Sequence, residues 1–141
     1  MSWANIDLTT ISPTLEIIPE KMFTWELLPG ATYDERDHGR INVSAAIVND
    51  GEFSGRKIFF SYPDPEGVSP RSGKKQDWSA IALKRLEQAI GVDYEAGEDP
   101  VHFLNRAAGS RFMSGVQHSK PTDEYPNPRA NLNLLNVRPS A

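Results

Sequence analysis

Residues 40–62 constrain this chain more than any other stretch. In Arg40-Ile-Asn-Val-Ser-Ala-Ala-Ile-Val48, apolar Ile41, Val43, Ala45 and Ile47 alternate with small or polar neighbours. A period of two sends successive side chains to opposite faces, so the segment is a half-buried strand. Asn49-Asp50-Gly51 follows, and all three residue types tolerate the positive φ that reverses a chain. Gly55-Arg-Lys-Ile-Phe-Phe-Ser-Tyr62 is the return strand. Along it Ile58, Phe60 and Tyr62 share one face, and Lys57, Phe59 and Ser61 share the other. The first set is the more apolar and is the expected core side.

The remaining elements are placed around this hairpin. Residues 22–28, Met-Phe-Thr-Trp-Glu-Leu-Leu, are β-formers stopped by Pro29-Gly30. Trp25 shares a strand face with Phe23 and Leu27, which marks it as core. Asp77 is a candidate N-cap for a helix over Trp78–Ile90, with Ala82, Leu86, Ala89 and Ile90 on one face and Gly91 as its stop. Trp78 opens that helix and is expected to staple it to the barrel. Asp99-Pro100 caps a short helix reaching Ala108. Arg111–His118 reads as a strand, and Asn131–Val137 as the last one. Residues 1–21, interrupted by Pro13 and Pro19, read as an arm before a single domain at 22–139.

The order strand, strand, strand, helix, short helix, strand, strand predicts an all-β fold with one or two helices. It is the order of an OB-fold, a five-stranded barrel with a helix between strands three and four. An α+β sheet under one covering helix fits the same string.

Composition excludes several function classes. The 141 residues contain no Cys, so disulfides, thiolate zinc sites and a Cys nucleophile are ruled out. His38, His102 and His118 are far apart, and none has a metal-ligand partner at i+3 or i+4. Asp34, Glu35 and Asp37 lack the calcium-loop pattern. No Walker lysine motif and no Gly-x-Ser-x-Gly frame occur. The expectation is a protein that is not an enzyme and uses no metal or cofactor. No apolar run reaches the roughly 18 residues that span a bilayer, and the start lacks a signal-peptide pattern, so a cytoplasmic protein without membrane contact is expected.

Charge is unevenly distributed. Residues 1–55 hold 3 basic and 9 acidic side chains, giving −6, and residues 56–141 hold 12 and 10, giving +2, for the net −4. A local basic groove is compatible with that balance. Phe59 beside Lys57, with Arg56 at the hairpin entry, pairs an aromatic with cations. That is the way single-stranded nucleic acid is held, bases stacking on rings and phosphates meeting cations. Packing of Phe59 under a neighbouring loop is the alternative. Lys74 and Lys75 lie in the loop before the helix. Arg111, Lys120 and Arg129 flank the last hairpin, whose loop also holds Tyr125. These nine residues are the candidate nucleic-acid contacts.

Several segments carry a family resemblance. They are Val48-Asn-Asp-Gly-Glu-Phe-Ser-Gly-Arg-Lys-Ile-Phe-Phe60, the helix with Leu83, Leu86 and Gly91, Gly109-Ser-Arg-Phe112, and Asn131-Leu-Asn-Leu-Leu-Asn-Val-Arg-Pro139. Together they resemble a family of small phage OB-fold proteins, formerly a domain of unknown function, associated with single-stranded DNA binding. The resemblance covers about residues 40–139. It implies nonspecific coating of single strands during phage replication or recombination in the bacterial host's cytoplasm. Implied partners are single-stranded DNA, phage or host replication and recombination proteins, and further copies of the chain. A virion or tail component using its barrel for protein contacts is the alternative, because fold alone does not decide function.

Overall fold

The computed structural model describes residues 7, 9, 17–35, 39–66, 77–120, 123 and 129–140. The fold class is the expected one, mostly β with two helices. Seven strand segments form one curled antiparallel sheet: β1 (Met22–Leu27), β2 (Thr32–Asp34), β3 (Arg40–Val48), β4 (Lys57–Pro63), β5 (Arg111–His118), β6 (Ala130–Leu132) and β7 (Arg138–Pro139). Helix α1 (Trp78–Ile90) and the short α2 (Pro100–Arg106) stand between β4 and β5. The predicted hairpin is β3–β4, with Val43 opposite Phe60 and Ser44 opposite Phe59. Asn49 and Gly51 both take positive φ at its turn, +58° and +70°.

β1 and β2 lie end to end along one edge of β3. β1 pairs Leu27 with Ala45, and β2 pairs Thr32 with Asn42. Residues 28–31 therefore face only residues 43–44, an insertion that bends the edge. Asn105 of α2 holds this bend. Its Oδ1 accepts from Gly30 N and Ala31 N, each at 2.9 Å, and its Nδ2 donates to Ala31 O at 3.1 Å. The other edge of β1 pairs with β5, and β6 extends the sheet beyond β5. The result is an OB-like half-barrel. β4 and β6 approach one another across a seam that no ladder bridges among the described residues.

The inner face is the core. Phe23, Trp25 and Leu27 of β1 meet Val43, Ala45 and Ile47 of β3, Ile58 and Tyr62 of β4, and Phe112 and Val116 of β5. Trp25 is fully buried, and its indole Nε1 donates to Ser114 O at 3.1 Å. Ala82, Leu86 and Ala89, at helical spacing on α1, and Phe103 and Leu104 of α2 complete it. Burial of each large side chain contributes about 1.5–3 kcal/mol. Ile18, at the end of the predicted arm, is also buried.

Three local expectations are corrected. Asp77 does not cap α1: its backbone is already helical (φ −63°, ψ −18°), and its side chain makes no cap hydrogen bond. Gly91 does end the helix in the left-handed region, and Asp99 does accept from Val101 N at 2.8 Å. The last strand is not continuous over 131–137. It stops at Leu132, a 3-10 turn follows at Leu134–Asn136, and β7 then pairs with a different stretch of the same β5 edge. Hydrogen bonds Asn133 N to Gly115 O (3.1 Å) and Asn136 N to Asn133 O (3.1 Å) fix that break. Trp78, expected to staple α1 to the barrel, is an exposed large apolar side chain.

Candidate nucleic-acid interface

Strand alternation builds the site on the outer face of β3–β4. Arg40, Asn42, Ser44 and Ala46 of β3 stand opposite Pro63, Ser61, Phe59 and Lys57 of β4. Phe59 is 78% exposed, the most exposed large apolar side chain described. The residues around it are small: Ser44 across the ladder, Ser61 two positions on, and Gly30 in the bend. The groove they leave has a volume of about 410 Å3 and is bounded also by Thr32, Arg40, Asn42 and Phe60. Its walls offer hydroxyls, an amide, an aromatic ring and a guanidinium.

The rung below is Lys57, Ala46, Glu26 and Arg111, read across β4, β3, β1 and β5. Lys57 is exposed. Arg111 is exposed as well, but its Nε lies 3.7 Å from Glu26 Oε1. With strands about 4.8 Å apart, Lys57 and Arg111 are separated by about 14 Å, with a carboxylate between them. Arg56 sits half-buried at the entry to β4, where its N donates to Phe53 O at 3.1 Å.

Lys120 and Arg129 belong to the opposite end of the sheet from Arg40. Ser119 N donates to Arg129 O, and Arg129 N donates to Ser119 Oγ, both at 2.9 Å, so Arg129 is held beside Ser119 just beyond β5. The structure thus gathers Arg56, Lys57 and Phe59 on one hairpin and sets Arg111 three strands away across the sheet, while Arg129 precedes β6, the strand that approaches β4 across the seam. Lys74, Lys75 and Tyr125 lie outside the described residues.

No family model matches this chain, and comparisons with curated proteins and with solved structures return no match. The site is therefore argued from its own geometry.

Sequence reasoning passed over Arg40, Asn42, Ser44 and Ser61, which share the Phe59 face. The alternation that exposes Phe59 exposes them too, and the Asn49–Gly51 turn fixes which of them oppose it. Two histidines are held by local partners. His102 Nδ1 is 2.7 Å from Glu98 Oε2, and His118 Nε2 is 2.6 Å from Ile18 O. Among the described residues no group of three or more His, Asp or Glu is arranged to hold a metal ion.

Proposed function

We propose that this chain is a non-catalytic, sequence-nonspecific single-stranded DNA-binding protein of a phage, acting in replication or recombination in the bacterial cytoplasm. The observation that carries the reading is Phe59, a solvent-facing ring that lines a groove, on the same strand face as Lys57. Burying a Phe is favourable, so an exposed ring flanked by small hydroxyl residues on a rigid sheet suits a planar partner. Every base has a π-face, and stacking on one ring adds roughly 1–3 kcal/mol per base. Arg40 and Lys57 bracket the ring and suit the phosphates on either side. The family resemblance of the hairpin supports the same use. Among the described residues no helix is long and apolar enough to cross a membrane.

Titration of a fluorescent oligo-dT by the protein tests this. Affinity is expected to fall with salt at about −0.7 log units per phosphate neutralised, giving a slope of roughly −2 to −4. Duplex of equal length is expected to bind more weakly, because its bases are already stacked. A slope near zero, or equal affinity for duplex, sinks the reading.

A second reading has its own support. Trp78 and Ile81 of α1, with Leu135 nearby in the chain's last segment, are exposed apolar side chains. They suit the protein contacts of a virion or tail component, or of a homo-oligomer. Complex formation without any oligonucleotide affinity is the result that favours it.

A further inference from the structure

The rung next to Phe59 is centred on Asn42 of β3, with Thr32 of β2 on one side and Ser61 of β4 on the other. All three bound the Phe59 groove, and all three are uncharged hydrogen-bonding residues. Two observations single out Asn42. It stands inside the nine-residue β3 and is laddered on both sides. Asn is a poor strand former there, where Val, Ile or Thr suits the pleat better. Residues that break a local rule in the middle of an element concentrate at functional positions. The second observation is that the half-buried Asn42 side chain makes no hydrogen bond among the described residues. Its amide donor and its carbonyl acceptor are both open at the groove. Asn42 is diagonal to Phe59 across the β3–β4 ladder, roughly 7 Å away and within reach of the edge of a base laid on the ring.

We propose that Asn42 hydrogen-bonds the Watson–Crick edge of the base stacked on Phe59. The inference deepens the single-strand reading and rests on it. A neutral rung suits the neutral edge of a base, while Lys57, on the other side of Phe59 along β4, suits the phosphate. A carboxamide carries a donor and an acceptor side by side. So does the pairing edge of every free base. Adenine and cytosine offer an amine beside a ring acceptor, and guanine and thymine a ring N–H beside a carbonyl. Turning the carboxamide over exchanges its donor and its acceptor, so one Asn matches all four bases. A base paired in a duplex has both groups engaged and offers Asn42 nothing. Asn42 thereby separates unpaired from paired bases without reading sequence.

The test is fluorescence anisotropy of the full chain with oligo-dT and with an oligo-dT of equal length methylated at the thymine ring N–H. The methyl group blocks the pairing edge and leaves the stacking face. The natural protein is expected to bind the methylated strand roughly two- to tenfold more weakly, the value of one hydrogen bond. Asn42→Val, which suits a strand, is expected to lose a similar factor on oligo-dT and to bind both strands alike. Its salt slope is expected to be unchanged, because a neutral contact releases no counter-ion. Asn42→Ala repeats the measurement should the Val variant melt early. A natural protein indifferent to methylation overturns the proposal, as does an equal methylation loss in the natural protein and the variants. In both cases oligo-dT binding with its salt slope leaves the single-strand reading standing. If no oligonucleotide binds, that reading falls and the role of Asn42 falls with it.

Discussion

Phe59 and Phe60 are consecutive residues of identical chemistry, and they live in different surroundings. Phe60 turns inward, half-buried, its ring edge-on to Tyr62 at 5.8 Å and 79°. Phe59 turns outward over two serines. Nothing intrinsic to either ring sets this difference. It comes from the pleat of β4 and from what β3 places opposite: Val43 on the inner face, Ser44 on the outer. The inner face is a closed packing problem, where a lost ring leaves a cavity. The outer face is an open one, where a lost ring leaves water and removes a platform. Stability and binding are therefore expected to separate along a single strand.

The inner face is expected to fail most heavily. Trp25→Ala removes a fully buried indole and its bond to Ser114 O, and should cost about 3–5 kcal/mol in urea denaturation. A loss under about 1 kcal/mol would mean that the inner face is not the core. Next is Asn105→Ala. It strips three hydrogen bonds from the Gly30–Ala31 bend and leaves their backbone groups unpaired. A cost of about 1–3 kcal/mol is expected, with weaker oligonucleotide binding because Gly30 walls the groove. Phe59→Ala should reverse the pattern. Single-strand affinity is expected to drop by roughly 1–3 kcal/mol, with a stability change within about 0.5 kcal/mol, as for other exposed positions. An unfolded Phe59→Ala beside a stable Phe60→Ala would invert the comparison.

The smallest effect lies off both faces. Arg106 bonds Glu98 through Nε at 2.9 Å and Nη2 at 2.7 Å, and this holds the Glu98 carboxyl down at about 2 against an ordinary 4.5. A depressed folded-state value contributes stability above the unfolded one and loses it as pH falls. Denaturation midpoints should therefore decline between about pH 4.5 and 2 more steeply in the natural protein than in Glu98→Gln. Oligonucleotide affinity at neutral pH should be alike in both. Parallel pH curves would remove Glu98 from the account.

Much of the fold was legible because its signals are local. Alternation in 40–48 and 57–62 sorts the two hairpin faces without knowledge of anything else. Asp99-Pro100 and Gly91 mark helix boundaries by their own backbone preferences. The parts that escaped depend on distant partners. The bend at 28–31 is held by Asn105, more than 70 residues along. The break after Leu132 depends on β5 offering its edge twice. The candidate site divides the same way. Lys57 and Phe59 follow from alternation alone. That Glu26 stands between Lys57 and Arg111 follows only from register across four strands, and it breaks the continuous basic strip that a list of cations suggests.

The unbridged seam has a consequence for how the protein behaves when concentrated. Ile47 N bonds to Arg56 O, so Ile58, Phe60 and Tyr62 turn their backbone groups toward β3. Lys57, Phe59 and Ser61 then aim theirs toward the seam. Among the described residues no strand pairs with that edge, and an open edge carrying an exposed Phe is a template on which another chain's strand can grow. Lys57 stands at the start of that edge, where its charge must lose its water before any second strand can settle. The cation proposed to meet a phosphate thus also makes that edge costly for a second strand to join.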